Sequence, residues 1–231
     1  MLNYLIETRN FHDKQFRKFK YSFQREFPNE DIIRFEKKFL KKKSKILDIG
    51  SGTGRNAVFL TKKRHIVHCL DFSKEAIILL KKLFKQKKIS KKNRIFLDNI
   101  PELQKVSNNY NAVIDCFTSY SLIKKDFVTY INNIRQKIKD KGYFHLQILS
   151  KNSQLFKKVS PAKIIFGNSI MRIKRKTAPF YGDKYLFTFY SKNEIKKILS
   201  KNFKKVNIEV HSRTYRNSKE FLEFFVIECR K

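Results

Sequence analysis

The stretch from Lys45 to Asp71 limits most tightly what this chain can fold into. An apolar run, Ile46-Leu47-Asp48-Ile49, ends on Gly50-Ser51-Gly52-Thr53-Gly54. The pattern turns helical at Ala57-Val58 and Leu60, and a second apolar run, Ile66 to Leu70, ends on Asp71. Strand, glycine turn, helix, strand and acid is the order of a nucleoside-binding βαβ unit, which belongs to a parallel sheet. Gly50 permits the sharp exit from the strand, Gly52 lets the backbone approach a ligand, and Gly54 lets the helix start pack closely. The helix N-terminus offers free N–H groups and a partial positive charge. Asp71 stands 21 residues after Gly50, where a carboxylate accepts ribose hydroxyl protons.

The spacing separates possible ligands. Dinucleotide enzymes use G-x-G-x-x-G, whereas this chain has G-x-G-x-G with Asp48 two residues ahead of it. A carboxylate beside the ligand suits a cofactor with positive charge and no pyrophosphate. S-adenosyl-L-methionine, with a sulfonium and an ammonium group, fits better than NAD. A glycine turn without any ligand is the plain alternative. The whole chain has six glycines and three of them fall within these five residues, which argues against it.

Asp48-Ile49-Gly50-Ser51-Gly52-Thr53-Gly54 resembles the glycine motif of class I S-adenosylmethionine-dependent methyltransferases. The continuations Gly54-Arg55-Asn56-Ala57 and Asp71-Phe72-Ser73-Lys74-Glu75-Ala76-Ile77 are similar to small-molecule members, including tellurite-resistance-type enzymes. The resemblance runs from about Ile46 to the end. It implies an α/β, Rossmann-like fold: a seven-stranded, mostly parallel sheet with helices on both faces and an antiparallel last strand. It implies S-adenosyl-L-methionine as cofactor and adds contacts to those of Asp48, the glycines and Asp71. Ser51 and Asn56 flank the loop, Phe72 follows the acid, and Cys116 ends the fourth strand. In such enzymes a polar residue after the third strand touches the adenine amino group, and Asp98, with Asn99, matches that position.

The rest of the chain divides around this unit. Residues 1–40 read as a helical cap before a methyltransferase domain over 41–231. Phe11, Phe16, Phe19, Phe23 and Phe27 recur at helical spacing, as a packing stripe or as one wall of a substrate pocket. Pro28-Asn29-Glu30-Asp31 reads as a break and N-cap for a helix over Ile32–Leu40. Ser73 caps a helix to about Lys88, and Arg94–Leu97 and Tyr110–Phe117 are the next strands. A helix over Phe127–Ile138 ends at Lys141-Gly142, read as a C-cap, before a strand over Tyr143–Leu149. Residues 150–183 lose the pattern and read as a lid insertion over the site. Its basic run, Arg172 to Lys176, favours an anionic acceptor; the same residues also suit an ordinary solvated loop. Ser191 and Glu194 form a capping box, and Phe203–His211 and Phe221–Cys229 are closing strands.

The formal charge of +33 is extreme for 231 residues. It permits binding to nucleic acid, at least weakly and without specificity. Lysine supplies 40 of the 53 basic residues and is spread along the chain, which also fits the codon bias of an A/T-rich genome. Cys69, Cys116 and Cys229 lie far apart and read as buried thiols of a cytoplasmic protein, with no metal site. No apolar run reaches membrane-spanning length.

Methyl transfer requires alignment of a nucleophile, and an oxygen nucleophile also requires a base. Tyr120 and His145 are the candidate catalytic residues. His145 falls in mid-strand, where a core histidine is the plainer reading. Asp115 and Tyr181 are further candidates, and His12, Tyr21 and Arg213 could reach in from the cap and closing strands. Asp115-Cys116-Phe117-Thr118 lacks the Asn/Asp-Pro-Pro-Tyr/Phe motif found in many methylases of exocyclic base amines. The expectation is methyl transfer to a small molecule. An RNA methyltransferase and a non-catalytic cofactor-binding regulator are the alternatives.

Overall fold

The computed structural model describes residues 3–24, 27–215 and 219–231. Helix α1 (Asn3–Phe19), a 3-10 turn (Lys20–Phe23) and α2 (Glu30–Phe39) precede the sheet. Then come β1 (Lys45–Ile49), α3 (Arg55–Lys62), β2 (Ile66–Asp71), α4 (Lys74–Gln86) and β3 (Ile95–Leu97). β4 (Tyr110–Cys116), α5 (Lys124–Lys137) and β5 (Ile138–Leu149) follow. An insertion holds α6 (Gln154–Lys157) and a separate antiparallel sheet of β6 (Ile164–Ile165), β7 (Ser169–Met171) and β8 (Leu186–Thr188). α7 (Lys192–Ser200), β9 (Lys205–Tyr215) and β10 (Glu220–Arg230) close the chain.

The main sheet has the order β3-β2-β1-β4-β5-β10-β9. Its pairs are parallel except those of β10, which runs against both β5 and β9. This is the seven-stranded, mostly parallel sheet expected, with its last strand reversed. β1 and β4 lie in the middle and bury both faces, which is why they read as unbroken apolar runs. On one face Leu47, Ile49, Val113 and Phe144 pack on Phe127, Ile131, Ile195 and Leu199 of α5 and α7. On the other, Ile46, Ala112 and Ile114 pack on Ile32 and Phe35 of α2 and on Ala57 and Leu60 of α3. Each fully buried Val, Leu, Ile or Phe side chain contributes about 1.5–3 kcal/mol.

Three helix starts follow their predicted caps. The Asn29 side chain accepts from Asp31 N, Ser73 Oγ from Ala76 N, and Ser191 with Glu194 completes both bonds of a capping box. Because Asn29 is the cap, α2 begins at Glu30, two residues before the expected start. Lys141-Gly142 does not end a helix. α5 passes directly into β5 at Ile138, and the β4–β5 pairing shifts register between Tyr110 and Ala112. Lys141 takes the left-handed conformation (φ 62°) inside the strand, and a Cβ on Gly142 would stand 2.9 Å from the carbonyl oxygens of Asn111 and Lys139. The glycine therefore marks a β-bulge.

The phenylalanine stripe also breaks. Phe16 is buried and Phe11 and Phe23 are half-buried, but Phe19 and Phe27 are 43% and 75% exposed. α1 ends at Phe19, and the change of period in the 3-10 turn moves later residues off the helical face. β9 and β10 pair from Tyr215 and Glu220 onward, a tighter hairpin than expected; its connecting residues 216–218 lie outside the described ones. Among the described residues no helix is long and apolar enough to cross a membrane.

Two candidate catalytic residues belong to this framework. Asp115 is fully buried and accepts from Thr118 N (2.9 Å), Ser119 N and the Tyr130 hydroxyl (2.9 Å), so it fixes the turn between β4 and α5. His145 is fully buried with its ring 5.1 Å from that of Phe35, and neither nitrogen has a hydrogen-bond partner. Burial holds its pKa down to about 3. Asp115→Ala strands three donors and should cost about 2–3 kcal/mol of stability by urea unfolding. An unchanged midpoint would show that the carboxylate does not hold this turn.

Candidate active site

The loop between β1 and α3 is held to β2 by its own backbone. Gly50 N and Ser51 N both donate to Leu70 O, at 2.8 and 3.1 Å. Gly52 N donates to Asp71 Oδ2 at 2.8 Å, and Ser73 N donates to Asp71 Oδ1 at 2.9 Å. The carboxylate thus braces the loop against the start of α4. Each of its oxygens has further lone pairs, which suits two ribose hydroxyls. Burial raises the Asp71 pKa to about 6, against the lowering effect of these N–H donors.

Asp48 is 1% exposed, and its Oδ2 has no partner. Burial, then the nearby charges of Asp71 and Asp115, push its pKa up to about 8. A buried carboxylate oxygen without a donor is costly, and a cationic ligand relieves it. S-adenosyl-L-methionine, with a cationic end and a ribose, therefore fits the residues present. Gly52 has φ +52°, and a Cβ there would lie 2.1 Å from Gln24 Nε2. Gln24 fills that bare face of the loop, its Oε1 accepting from Thr53 N (2.9 Å) and Thr53 Oγ1 (3.0 Å).

The other predicted cofactor residues gather at the same carboxyl ends of the strands. Ser51 is buried beside Leu70. Asn56, in the first turn of α3, accepts from Asn29 N at 3.0 Å and also bonds the Cys116 thiol. Burial pushes that thiol well above its usual range. Phe72 is half-buried behind Asp71. The Asp98 carboxylate accepts from Asn99 N (2.9 Å) and Lys105 N (2.8 Å), so it shapes its own loop. Beside Cys116, Gln147 of β5 donates to Asp31 Oδ2 (2.6 Å) and accepts from Asn29 Nδ2 (2.8 Å), tying α2 to the sheet.

α1 lies across these strand ends as a roof. At its start the Tyr4 hydroxyl donates to Asp126, in the first turn of α5. Toward its end, Asp13 accepts from Ser73 Oγ (2.6 Å) and Glu75 N (3.3 Å), and Arg17 pairs with Glu75 at 3.0 Å. Tyr21 then donates to Leu79 O (2.9 Å), ahead of Gln24 on the glycine loop. Between these anchors His12 faces Phe72 and Tyr185, with ring centroids 5.8 and 5.0 Å away. Tyr120, in the 3-10 turn Ser119–Ser121, meets Tyr185 hydroxyl to hydroxyl at 2.8 Å. Tyr185 also bonds Asp183 of the insertion. Tyr120 and the predicted cofactor residues are thus brought to one end of the sheet, while His145 stays in the core. Tyr181 is 53% exposed, and Arg213 pairs with Glu30 at 3.6 Å. Gln24, Asp13 and Tyr185 carried no sequence signal, because their partners lie dozens of residues away. Among the described residues there is no cluster able to hold a metal ion.

Residues 46–142 match the family model described as a methyltransferase domain. No curated protein matches the chain. Among solved structures, the chain is similar to an S-adenosylmethionine-dependent methyltransferase from Methanosarcina mazei, with 19% identity, 89% of this chain and 99% of that one covered, and a TM-score of 0.68. It is also similar to the 1,6-didemethyltoxoflavin-N1-methyltransferase of Burkholderia thailandensis, with 15% identity, coverage of 99% and 88%, and a TM-score of 0.70. The TehB structure from Haemophilus influenzae shares 16% identity, with coverage of 96% and 67% and a TM-score of 0.63. At these identities the likeness speaks for the fold, while the family match falls on the glycine loop, Asp71 and Asp98. Residues 46–142 thus match a methyltransferase domain, within a fold shared with S-adenosylmethionine-dependent methyltransferase structures.

Proposed function

We propose that the enzyme transfers a methyl group to a small-molecule acceptor held beneath α1. The observation that carries this reading is the roof, pinned over the strand ends at Asp126, Ser73 and Thr53. A site covered in this way suits a compact acceptor better than a polymer strand. The Burkholderia neighbour was solved with 1,6-didemethyltoxoflavin and S-adenosylhomocysteine bound, which supports an acceptor of that size.

S-adenosyl-L-methionine supplies, when bound, an electrophilic methyl carbon on a good leaving group. In this reading Asp71 holds the ribose, Asp48 faces the cationic end, and Asp98 with Asn99 lies toward the base. Gly50, Ser51, Gly52, Gly54 and Asn56 form the loop, flanked by Phe72 and Cys116. Residues 1–40 act as the cap and the insertion over 150–183 as the lid; the cap meets Tyr185, two residues past the lid, through the Phe11–Tyr185 ring contact at 4.9 Å. The lid charge gives little support to an anionic acceptor. Arg175 pairs with Glu220 and donates to Lys158 O, within its own scaffold. Three unpaired cysteines fit a reducing compartment such as the cytoplasm.

Isotope-labelled cofactor should label small molecules of a cell extract at high salt and leave total RNA unlabelled. Labelling of RNA that survives high salt would overturn the small-molecule reading. Asp71→Ala should weaken cofactor binding in calorimetry by about 1–3 kcal/mol, the cost of a lost charged hydrogen bond. An unchanged dissociation constant would remove Asp71 from the ribose site. Asp48 gives a pH test. Its folded pKa lies above that of an unfolded carboxyl, so the native state binds this proton more tightly. Its burden on stability therefore grows as pH rises from about 4 toward 8. Asp48→Asn should raise Tm more at pH 8 than at pH 5 while weakening cofactor binding. A Tm gain equal at both pH values would contradict this.

A further inference from the structure

His12 has no hydrogen-bond partner among the described residues, although it sits in the middle of the roof. It is half-buried and ringed by aromatic side chains from three parts of the chain. Phe16 and Phe23 come from the cap, at 6.4 and 6.0 Å between ring centroids; Phe72 comes from the end of β2, and Tyr185 from the insertion. A histidine packed for structure alone normally satisfies at least one ring nitrogen. His65 and His68 do so here, through Glu36 and the Tyr110 hydroxyl. His12 is also placed differently from the core residue His145, since it retains exposed surface at the strand ends.

Beyond His12 the wall continues with Tyr120, which is part-exposed, and behind it lie the buried rings of Tyr185 and Phe187. Tyr185 stacks on Phe187 at 4.4 Å, and Tyr120 stacks on the same ring at 5.5 Å. The polar atoms on this wall form one chain, from the Tyr120 hydroxyl to the Tyr185 hydroxyl to the Asp183 carboxylate. Rings of this kind favour a planar π-system, by offset stacking and edge contacts.

Resting on the methyltransferase reading above, we propose that the acceptor is a planar aromatic or heteroaromatic molecule methylated on a hydroxyl or ring N–H, and that His12 is the catalytic residue that takes its proton. The acceptor oxygen or nitrogen forms the new bond to the methyl carbon. The carbon–sulfur bond breaks with its electron pair left on sulfur. The displaced O–H or N–H proton passes to a free His12 ring nitrogen and from there to water. Tyr120 and Tyr185 are positioning residues, which fix the wall against which the acceptor lies. Desolvation among the rings lowers the His12 pKa to about 4, against the nearby charge of Asp13, so the imidazole is neutral and able to accept a proton at physiological pH.

The test uses the full chain, isotope-labelled S-adenosyl-L-methionine and a small-molecule cell extract, with His12→Phe as the variant, since its ring keeps the packing. The main labelled product should carry its new methyl on an aromatic hydroxyl or ring nitrogen. His12→Phe should slow the transfer by about 100-fold or more, within the range of general-base catalysis, with the cofactor dissociation constant changed less than about twofold. That product, added to wild-type protein, should shift the ring-nitrogen resonances of labelled His12. An aliphatic product, no labelled product, a variant as fast as wild type, or unmoved His12 resonances would each overturn the proposal. Failure of the wild type to bind the cofactor in calorimetry would instead strike the underlying methyltransferase reading.

Discussion

The hydrogen bond from Gly52 N to the Asp71 carboxylate is the contact on which the site depends. It joins the glycine loop of β1 to the end of β2, and through Ser73 it reaches the start of α4. The same serine bonds Asp13, so the roof is tied to that carboxylate one step further on. Loop, Asp71 and cap are therefore one connected polar structure. Backbone N–H groups make it affordable to bury negative charge at this place, since each bond to a carboxylate is stronger than a neutral one.

This arrangement gives a local sign opposite to that of the whole chain. The protein carries a formal charge of +33, yet Asp48, Asp71 and Asp115 meet beneath the roof. A cationic ligand bound there would favour the charged form of these buried carboxyls. Five of the 40 lysines gather elsewhere, with Arg64. Lys43, Lys62, Arg64, Lys87, Lys88 and Lys92 line one groove with Ile66 at the start of β2, at the opposite end of the sheet from Asp71. These six basic residues thus sit apart from the site that the glycines define.

What was legible in the sequence was local in the chain. The glycine loop, Asp71, and the caps at Asn29, Ser73 and Ser191 act over a few residues, and each formed as its spacing implied. The apolar β1 and β4 were equally plain, because strands buried on both faces carry no polar alternation. Gly142 was misread for a physical reason: glycine after a helix suits a C-cap and a bulge alike, and only the partner strand decides. Asp115 offered a signal in Thr118 and Ser119, whose amides it accepts, but a strand-end acid reads as chemistry before it reads as a brace. A helical cap over residues 1–40 was expected, but the contacts that pin it were illegible. Gln24 meets Thr53, Asp13 meets Ser73, and His12 meets Tyr185, contacts set by packing between distant elements.

Backbone hydrogen exchange, with and without S-adenosyl-L-methionine, tests the central claim most directly. The cofactor should slow exchange at the amides from Gly50 to Asn56 and, in the same titration, along α1. Protection of neither segment, or of the loop without the roof, would contradict the account of a single connected site.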